Sequence, residues 1–190
     1  LSGAAQTSHS LAAEVLPEPW PYIGTPEERA DLFRKELLSA ALGYAAKGYP
    51  VFPVAQDKRP LVKWKAGATT DPKTVKAWWA RWPLAMIGMP TGEPSGVVVV
   101  DIDRKNGVDG LANLLALGID AYSLSPVISI TPSGGLHVFM GYDGPLKNSA
   151  GLLAEGVDIR ADGGYIVLPP SLPSIHRDEY QWEGGGYGCL

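Results

Sequence analysis

Cysteine is almost absent from this chain of 190 residues: the one present, Cys189, lies in a glycine-rich end (Gly184 to Gly186, then Tyr187 and Gly188). Neither an internal disulfide nor a thiolate zinc site can be built from it, and the shortage suits a reducing, cytoplasmic setting. Long apolar runs are missing too. None approaches the roughly 20 residues that a membrane-spanning helix needs, so no membrane partner is expected. Nor is there an excess of positive charge: 16 Lys and Arg against 20 Asp and Glu leave a net charge of -4. That argues against a generic basic coat for nucleic acid, because phosphate neutralisation drives non-specific binding. A localised basic groove is still compatible with it, and a protein that keeps carboxylates for metal ions lowers its own sum before the ions arrive.

What is present is an ordinary globular composition, 45% apolar and 19% charged. The chain opens on Leu1, which fits a piece of a longer product. Residues 1–24 read as a polar, proline-punctuated arm without the basic start of a secretion signal. Residues 25–190 read as one compact unit, or two small submodules sharing a cleft, in a monomer. Thr25-Pro26-Glu27-Glu28 has the form of a capping box with proline at the first helical position, and apolar residues from Ala30 to Ala45 follow at helical spacing up to a stop at Gly48. Val51, Phe52 and Val54, hemmed by Pro50 and Pro53, predict a short edge strand. Asp71-Pro72 opens a second helix carrying Val75, Trp78, Trp79 and Trp82, and a third helix is expected over Val108 to Leu117. Strands are expected at Met86 to Met89, Gly96 to Asp103, Val127 to Ile130, Leu136 to Tyr142, Gly156 to Arg160 and Tyr165 to Leu168. The class is α+β, helices first and a mainly antiparallel sheet later.

Three segments could carry chemistry. Val97 to Val100 is a buried strand that ends in Asp101-Ile102-Asp103, and the strand period of two puts both carboxylates on one face, about 6 to 7 Å apart. Such a pair repels unless a proton or cation lies between, and hard ions such as Mg2+ or Mn2+ suit it. The plainer alternative is a strand end paired with Arg104 and Lys105. Thr131-Pro132-Ser133-Gly134-Gly135 is a tight loop followed by His137; glycines let backbone amides approach a phosphate, and the histidine can donate to it. Taken in isolation the segment reads first as an ordinary hairpin turn with a solvent-facing histidine. Asp158 and Arg160 share a strand face, either as a surface pair or as an acid and a phosphate clamp. The densest basic patch is Lys58, Arg59, Lys63 and Lys65, either a solvated loop or a phosphate contact. Of the tryptophans at 78, 79 and 82, at least one should be buried and at most two could face a template strand.

In this order, apolar-Asp-x-Asp, Ser-Gly-Gly-x-His and apolar-Asp resemble the three motifs of the archaeo-eukaryotic primase superfamily. The turn Asp57-Lys58-Arg59-Pro60, the Trp78-Trp79 helix, Thr91-Gly92, and the run from Asp158 through Gly163-Gly164-Tyr165 to Pro169-Pro170-Ser171 extend the likeness, over roughly Leu37 to Trp182. They resemble the bifunctional primase-polymerase domain of plasmid and phage replication proteins. The resemblance implies a catalytic core with an RNA-recognition-motif-like sheet packed against a smaller N-terminal α/β module. It implies that Asp101, Asp103 and Asp158 bind two Mg2+ or Mn2+ ions and that Ser133, Gly134 and His137 hold the triphosphate. Arg160 and Lys58 are implied as further phosphate contacts, and Lys63 and Lys65 as DNA contacts. The partners implied are nucleoside triphosphates, a DNA template and primer, and a helicase region elsewhere in the full-length protein. One cysteine forbids the zinc stem that some relatives carry, so extension of an existing primer is the activity expected. A metal-dependent phosphodiesterase or nuclease using the same acids, and a non-catalytic origin- or single-strand-binding module, are the rival readings.

Overall fold

The structure, a computed structural model, describes residues 24–173 and 178–184. The arm expected over residues 1–24 thus falls, but for Gly24, outside the described residues, as do His9, His176 and Cys189. The elements in chain order are α1 (Pro26–Ala46), β1 (Phe52–Val54), α2 (Trp64–Gly67), α3 (Pro72–Arg81), β2 (Met86–Pro90), β3 (Val97–Ile102), β4 (Arg104–Lys105), β5 (Val108–Asp109), α4 (Gly110–Ala116), α5 (Ala121–Leu124), β6 (Ile128–Ile130), β7 (Leu136–Gly141), β8 (Ser149–Ala154), β9 (Val157–Arg160), β10 (Tyr165–Leu168) and β11 (Gln181–Trp182).

Local chemistry sets the helix starts as the sequence leads one to expect. The Thr25 side chain accepts from the Glu28 amide while the Glu28 carboxylate accepts from the Thr25 amide, which completes the capping box. Asp71 caps α3 through the amides of Lys73 and Thr74. Trp82 is the C-cap of α3 rather than part of it. The helix expected over Val108 to Leu117 begins later, at Gly110, because Val108 and Asp109 pair back onto Arg104 and Lys105 as a two-strand hairpin before the Asp109 side chain caps α4.

Among the described residues the named strands pair antiparallel, in a three-stranded sheet ordered β1-β2-β10, a six-stranded sheet ordered β11-β6-β7-β3-β9-β8 and the separate β4-β5 hairpin. The mixture of helices with antiparallel sheets is α+β. The period of two divides the central strand β3 between two cores. Val100 and Ile102 join Leu136, Val138 and Val157 under α4 and α5. Val97 and Val99 lie on the opposite face and meet Phe33, Leu37 and Tyr44 of α1, Trp79 of α3, and Ile87, Met89, Ile166 and Leu168 of the small sheet. Burying a side chain such as Phe33 or Leu37 there contributes about 2–3 kcal/mol. The small sheet and its helices cover only the Val97–Val99 end of that face. Beyond Val99 the same face carries Asp101 and opens into a cleft.

One oxygen fastens this layer. The Tyr44 hydroxyl donates to the carbonyl of Pro169 at 2.8 Å and accepts from Trp182 Nε1 at 3.0 Å, tying α1, the segment after β10 and the edge strand β11.

A carboxyl close to α1 makes stability depend on pH. Among the described residues Glu179 Oε2 is buried without a hydrogen-bond partner, and burial, with the neighbouring Glu36 carboxylate adding to it, pushes the Glu179 carboxyl up to about 7. The folded chain therefore holds this proton over a range where the unfolded chain has lost it, so the stabilisation is complete below about pH 4.5 and is lost as pH rises through about 7. We expect Glu179→Gln to match the wild type in thermal midpoint at pH 4 and to exceed it by a few degrees at pH 8. Parallel curves across that range in a pH series of melts would exclude this account.

Candidate active site

Hairpin register builds the site. Ser129 of β6, His137 of β7, Asp101 of β3 and Asp158 of β9 are successive partners across four neighbouring strands, so all four side chains stand in one row on one face. The next row holds Phe139, Val99 and Arg160. Gly135 lets β7 come this close to β3: a Cβ there would lie 2.3 Å from the Ile102 carbonyl oxygen. The turn before it is a true hairpin turn, with the Thr131 amide bonded to the Gly135 carbonyl at 2.8 Å and Thr131 Oγ1 3.2 Å from Ser133 Oγ.

Asp101 and Asp158 face each other directly, an arrangement of like charges that is unfavourable unless countered. Arg160 counters it. Its Nε donates to Asp101 Oδ2 at 3.1 Å and its Nη2 to Asp158 Oδ2 at 2.8 Å, while Asp158 Oδ1 accepts the Gly151 amide at 2.9 Å. Asp103 sits just past the end of β3, its backbone fixed by the Gly156 carbonyl and the Gly110 amide, with Lys105 Nζ 2.8 Å from its carboxylate. Of the two cations that the plainer reading offered the acid pair, Lys105 takes this part, whereas Arg104 turns to Asp109.

His137 is 5% exposed, not solvent-facing, with Nε2 3.5 Å from Asp101 Oδ1. Burial pushes its pKa below the usual imidazole value against the opposing pull of Asp101, so near neutral pH the ring is an uncharged donor and the contact is not an ion pair. Its Nδ1, like the hydroxyl of its neighbour Ser129, is buried without a hydrogen-bond partner among the described residues.

Asp101, Asp103 and His137 of this group lie on the floor of a cleft of about 660 Å³. Asp101, Asp103, Ser133, His137 and Arg160 line it from the large sheet; Lys58 and Lys65 line it from the segment between β1 and α3. The lining does not include Asp158, Gly134 or Lys63 among the described residues. Of the three acids expected to converge on metal ions, Asp101 and Asp103 open to the cleft, while Asp158, the cross-strand partner of Asp101, is engaged by Arg160 and Gly151. Among the described residues no group of three or more His, Cys, Asp and Glu side chains is arranged to hold an ion unaided. Two cleft-facing carboxylates do fit Mg2+ or Mn2+ arriving with a triphosphate, since such ions are commonly held by one or two carboxylates together with substrate phosphates.

The sequence reading did not find Tyr180, Trp64 and Tyr165 as cleft residues. Tyr180 is 2% exposed, its amide bonded to the Ser171 carbonyl, and its ring lies 5.6 Å from that of His137. Burial, with Asp101 close by, raises its phenol pKa. The only signal was the alternation Tyr180-x-Trp182 after Pro169-Pro170-Ser171, which by itself reads as an edge strand. Trp79 is buried, its Nε1 donating to the Ala85 carbonyl, and Trp78 and Trp82 pack against the core; the tryptophan of the cleft is Trp64.

Lys58 is held with φ 68°, a left-handed conformation that costs a residue with a side chain about 1–2 kcal/mol. Its carbonyl accepts the Tyr165 hydroxyl at 2.7 Å, and its Nζ lies 5.6 Å from the centre of the Tyr180 ring, over the cleft. We expect Lys58→Gly to be about 1 kcal/mol more stable than Lys58→Ala, because glycine alone relieves the backbone. Both should bind a nucleoside triphosphate several-fold more weakly than the wild type. Denaturation and calorimetric titration of the pair decide this, and equal stability or unchanged affinity would exclude a strained, phosphate-facing lysine.

The model of the family described as bifunctional DNA primase/polymerase, N-terminal, matches residues 41–186, a span that contains every residue of the cleft. No curated protein matches the chain. Among the described residues no helix is long and apolar enough to cross a membrane.

Proposed function

Because the chain belongs to the family of bifunctional DNA primase/polymerase N-terminal domains, we propose that its cleft joins nucleotides to a DNA primer under the direction of a template. The observation that carries this is the gathering of Asp101, Asp103, Ser133, His137, Arg160 and Lys58 around one opening: acids on its floor, donors and cations around them. The six-stranded sheet is taken as the RNA-recognition-motif-like primase core, and the small sheet with α1 and α3 as the accompanying module. Replication of a plasmid or phage, beside a helicase region of a longer product, is the proposed setting.

In this reading the triphosphate lies along the cleft. Neutral His137 and the Ser133 hydroxyl donate hydrogen bonds to it, and Lys58 supplies charge from above. Arg160, already shared between two carboxylates, has donors to turn toward a phosphate oxygen. The primer 3'-oxygen bonds to the α-phosphorus as the bond to pyrophosphate breaks. Asp101 and Asp103 are the residues that would hold Mg2+ or Mn2+; when bound, such an ion offsets phosphate charge and lowers the pKa of the attacking hydroxyl. Asp158 fixes Arg160 and, through it, the orientation of Asp101.

Incubation with labelled primer-template, deoxynucleotides and Mn2+ tests the proposal. Lengthened primers support it. Shortened primers would replace it with phosphodiester hydrolysis by the same residues, and an unaltered primer would reject both.

A further inference from the structure

The cleft is also lined by rings that phosphate binding does not use. Trp64 opens α2, a four-residue helix that buries none of its side chains fully. Its indole lies nearly parallel to the Phe52 ring, with centres 5.4 Å apart and planes 15° apart, and Tyr165 meets it edge-on at 5.2 Å. Phe52 is fully buried in β1, and Tyr165 is held both by its own edge contact to Phe52 and by its hydrogen bond to the Lys58 carbonyl. The indole is thus fixed from behind and from the side. Phe52 can cover one face only, and Trp64, partly buried against the core around Phe52, still lines the same cleft as Ser133, His137 and Arg160. The exposed Lys65 places its ammonium over the ring, 5.7 Å from the indole centre, and this long, solvated side chain is the group a stacking base displaces.

We propose that Trp64, steadied by Phe52 and Tyr165, is the stacking platform for the base of the nucleoside triphosphate whose phosphates the polar groups of the same cleft hold, an inference that rests on the nucleotide reading given above. A flat, anchored indole offers a π-face to any base, so the platform grips purine and pyrimidine alike and leaves base choice to the template. A cleft of about 660 Å³ is within the range of small-ligand sites, so the ring and the phosphate contacts that line it fit one molecule. Because the platform shares one opening with the phosphate groups, its occupant is the incoming nucleotide rather than a passing template strand.

Calorimetric titration of the whole chain with dATP and, separately, with inorganic tripolyphosphate tests this, both with Mg2+ present. Trp64→Leu keeps an apolar cover on Phe52 but removes the π-face, and should weaken dATP binding about tenfold while leaving tripolyphosphate binding unchanged. Trp64→Phe should restore dATP affinity to within about twofold of the wild type, which separates stacking from damage to the fold. Unchanged dATP affinity in Trp64→Leu, or an equal loss for tripolyphosphate, overturns the platform. So does loss of single-stranded oligonucleotide binding with dATP binding intact, which would assign the ring to the template. A wild-type chain that binds neither dATP nor tripolyphosphate rejects the nucleotide cleft itself, and the platform with it.

Discussion

Asp101→Asn should lower primer extension by about a thousandfold while the chain remains folded. Asp101 stands at the centre of the row: His137 on one side, Asp158 on the other, Arg160 against its carboxylate and the cleft in front. Asparagine has nearly the same shape, and its amide oxygen still accepts from Arg160, so packing and most of the local geometry survive. What goes is one negative charge at the place where a divalent ion and a triphosphate would meet, and charge stabilisation of that kind is usually the largest part of such catalysis. Steady-state extension measured beside far-ultraviolet circular dichroism checks both halves. Retained extension would remove Asp101 from the chemistry. Lost extension with lost structure would make it a structural residue, and Asp103→Asn would then decide whether any acid of the cleft acts chemically.

Removing the guanidinium should affect the fold instead. Arg160→Met is expected to cost about 2 kcal/mol of stability, below the 3–5 kcal/mol typical of breaking a buried pair because Arg160 is 36% exposed. Two carboxylates then face each other across β3 and β9 with no cation between them. If that repulsion is the cause, Arg160→Met combined with Asp158→Asn should recover most of the loss, a coupling that a double-mutant cycle in urea measures directly. Additive losses would mean that Arg160 stabilises through its aliphatic stem and not through the acids. Extension should fall in the single variant as well, since the same arginine is assigned to the triphosphate.

These two residues also mark how far the sequence could be read. The strands bearing the acids and His137 stand out because alternation, a valine run and Pro or Gly at the junctions all agree, and the helix starts at Thr25 and Asp71 carry complete capping signals. The elements that escaped notice are short or lack a pattern. β8 is an exposed edge strand with a bulge, β11 and the β4–β5 hairpin have two-residue strands, and α2 and α5 are single turns. Within the site, residue types and order pointed to acids, a donor loop and a basic group, but not to how they are shared. Asp158 and Arg160 at i, i+2 suggested either a surface pair or a ligand beside a clamp. The pairing Asp101↔Asp158 decides what Arg160 holds, and cross-strand register is a property of the folded sheet that no local spacing encodes. Trp64 and Tyr180 were hidden for a related reason: an aromatic residue looks the same in sequence whether it fills a core or walls a cleft.

The Tyr44 hydroxyl joins partners 125 and 138 positions further along the chain, and the second of these, Trp182, follows Tyr180 by two residues. During synthesis from the N-terminus, the carboxylates emerge long before the last wall of their pocket does, and long-range closures of this kind come late in folding. A nascent polypeptide stopped short of this final strand would display acids and a histidine without the ring that backs them. On the proposed reading, competence would wait for the synthesis of Tyr180 and Trp182, about 80 residues after Asp101.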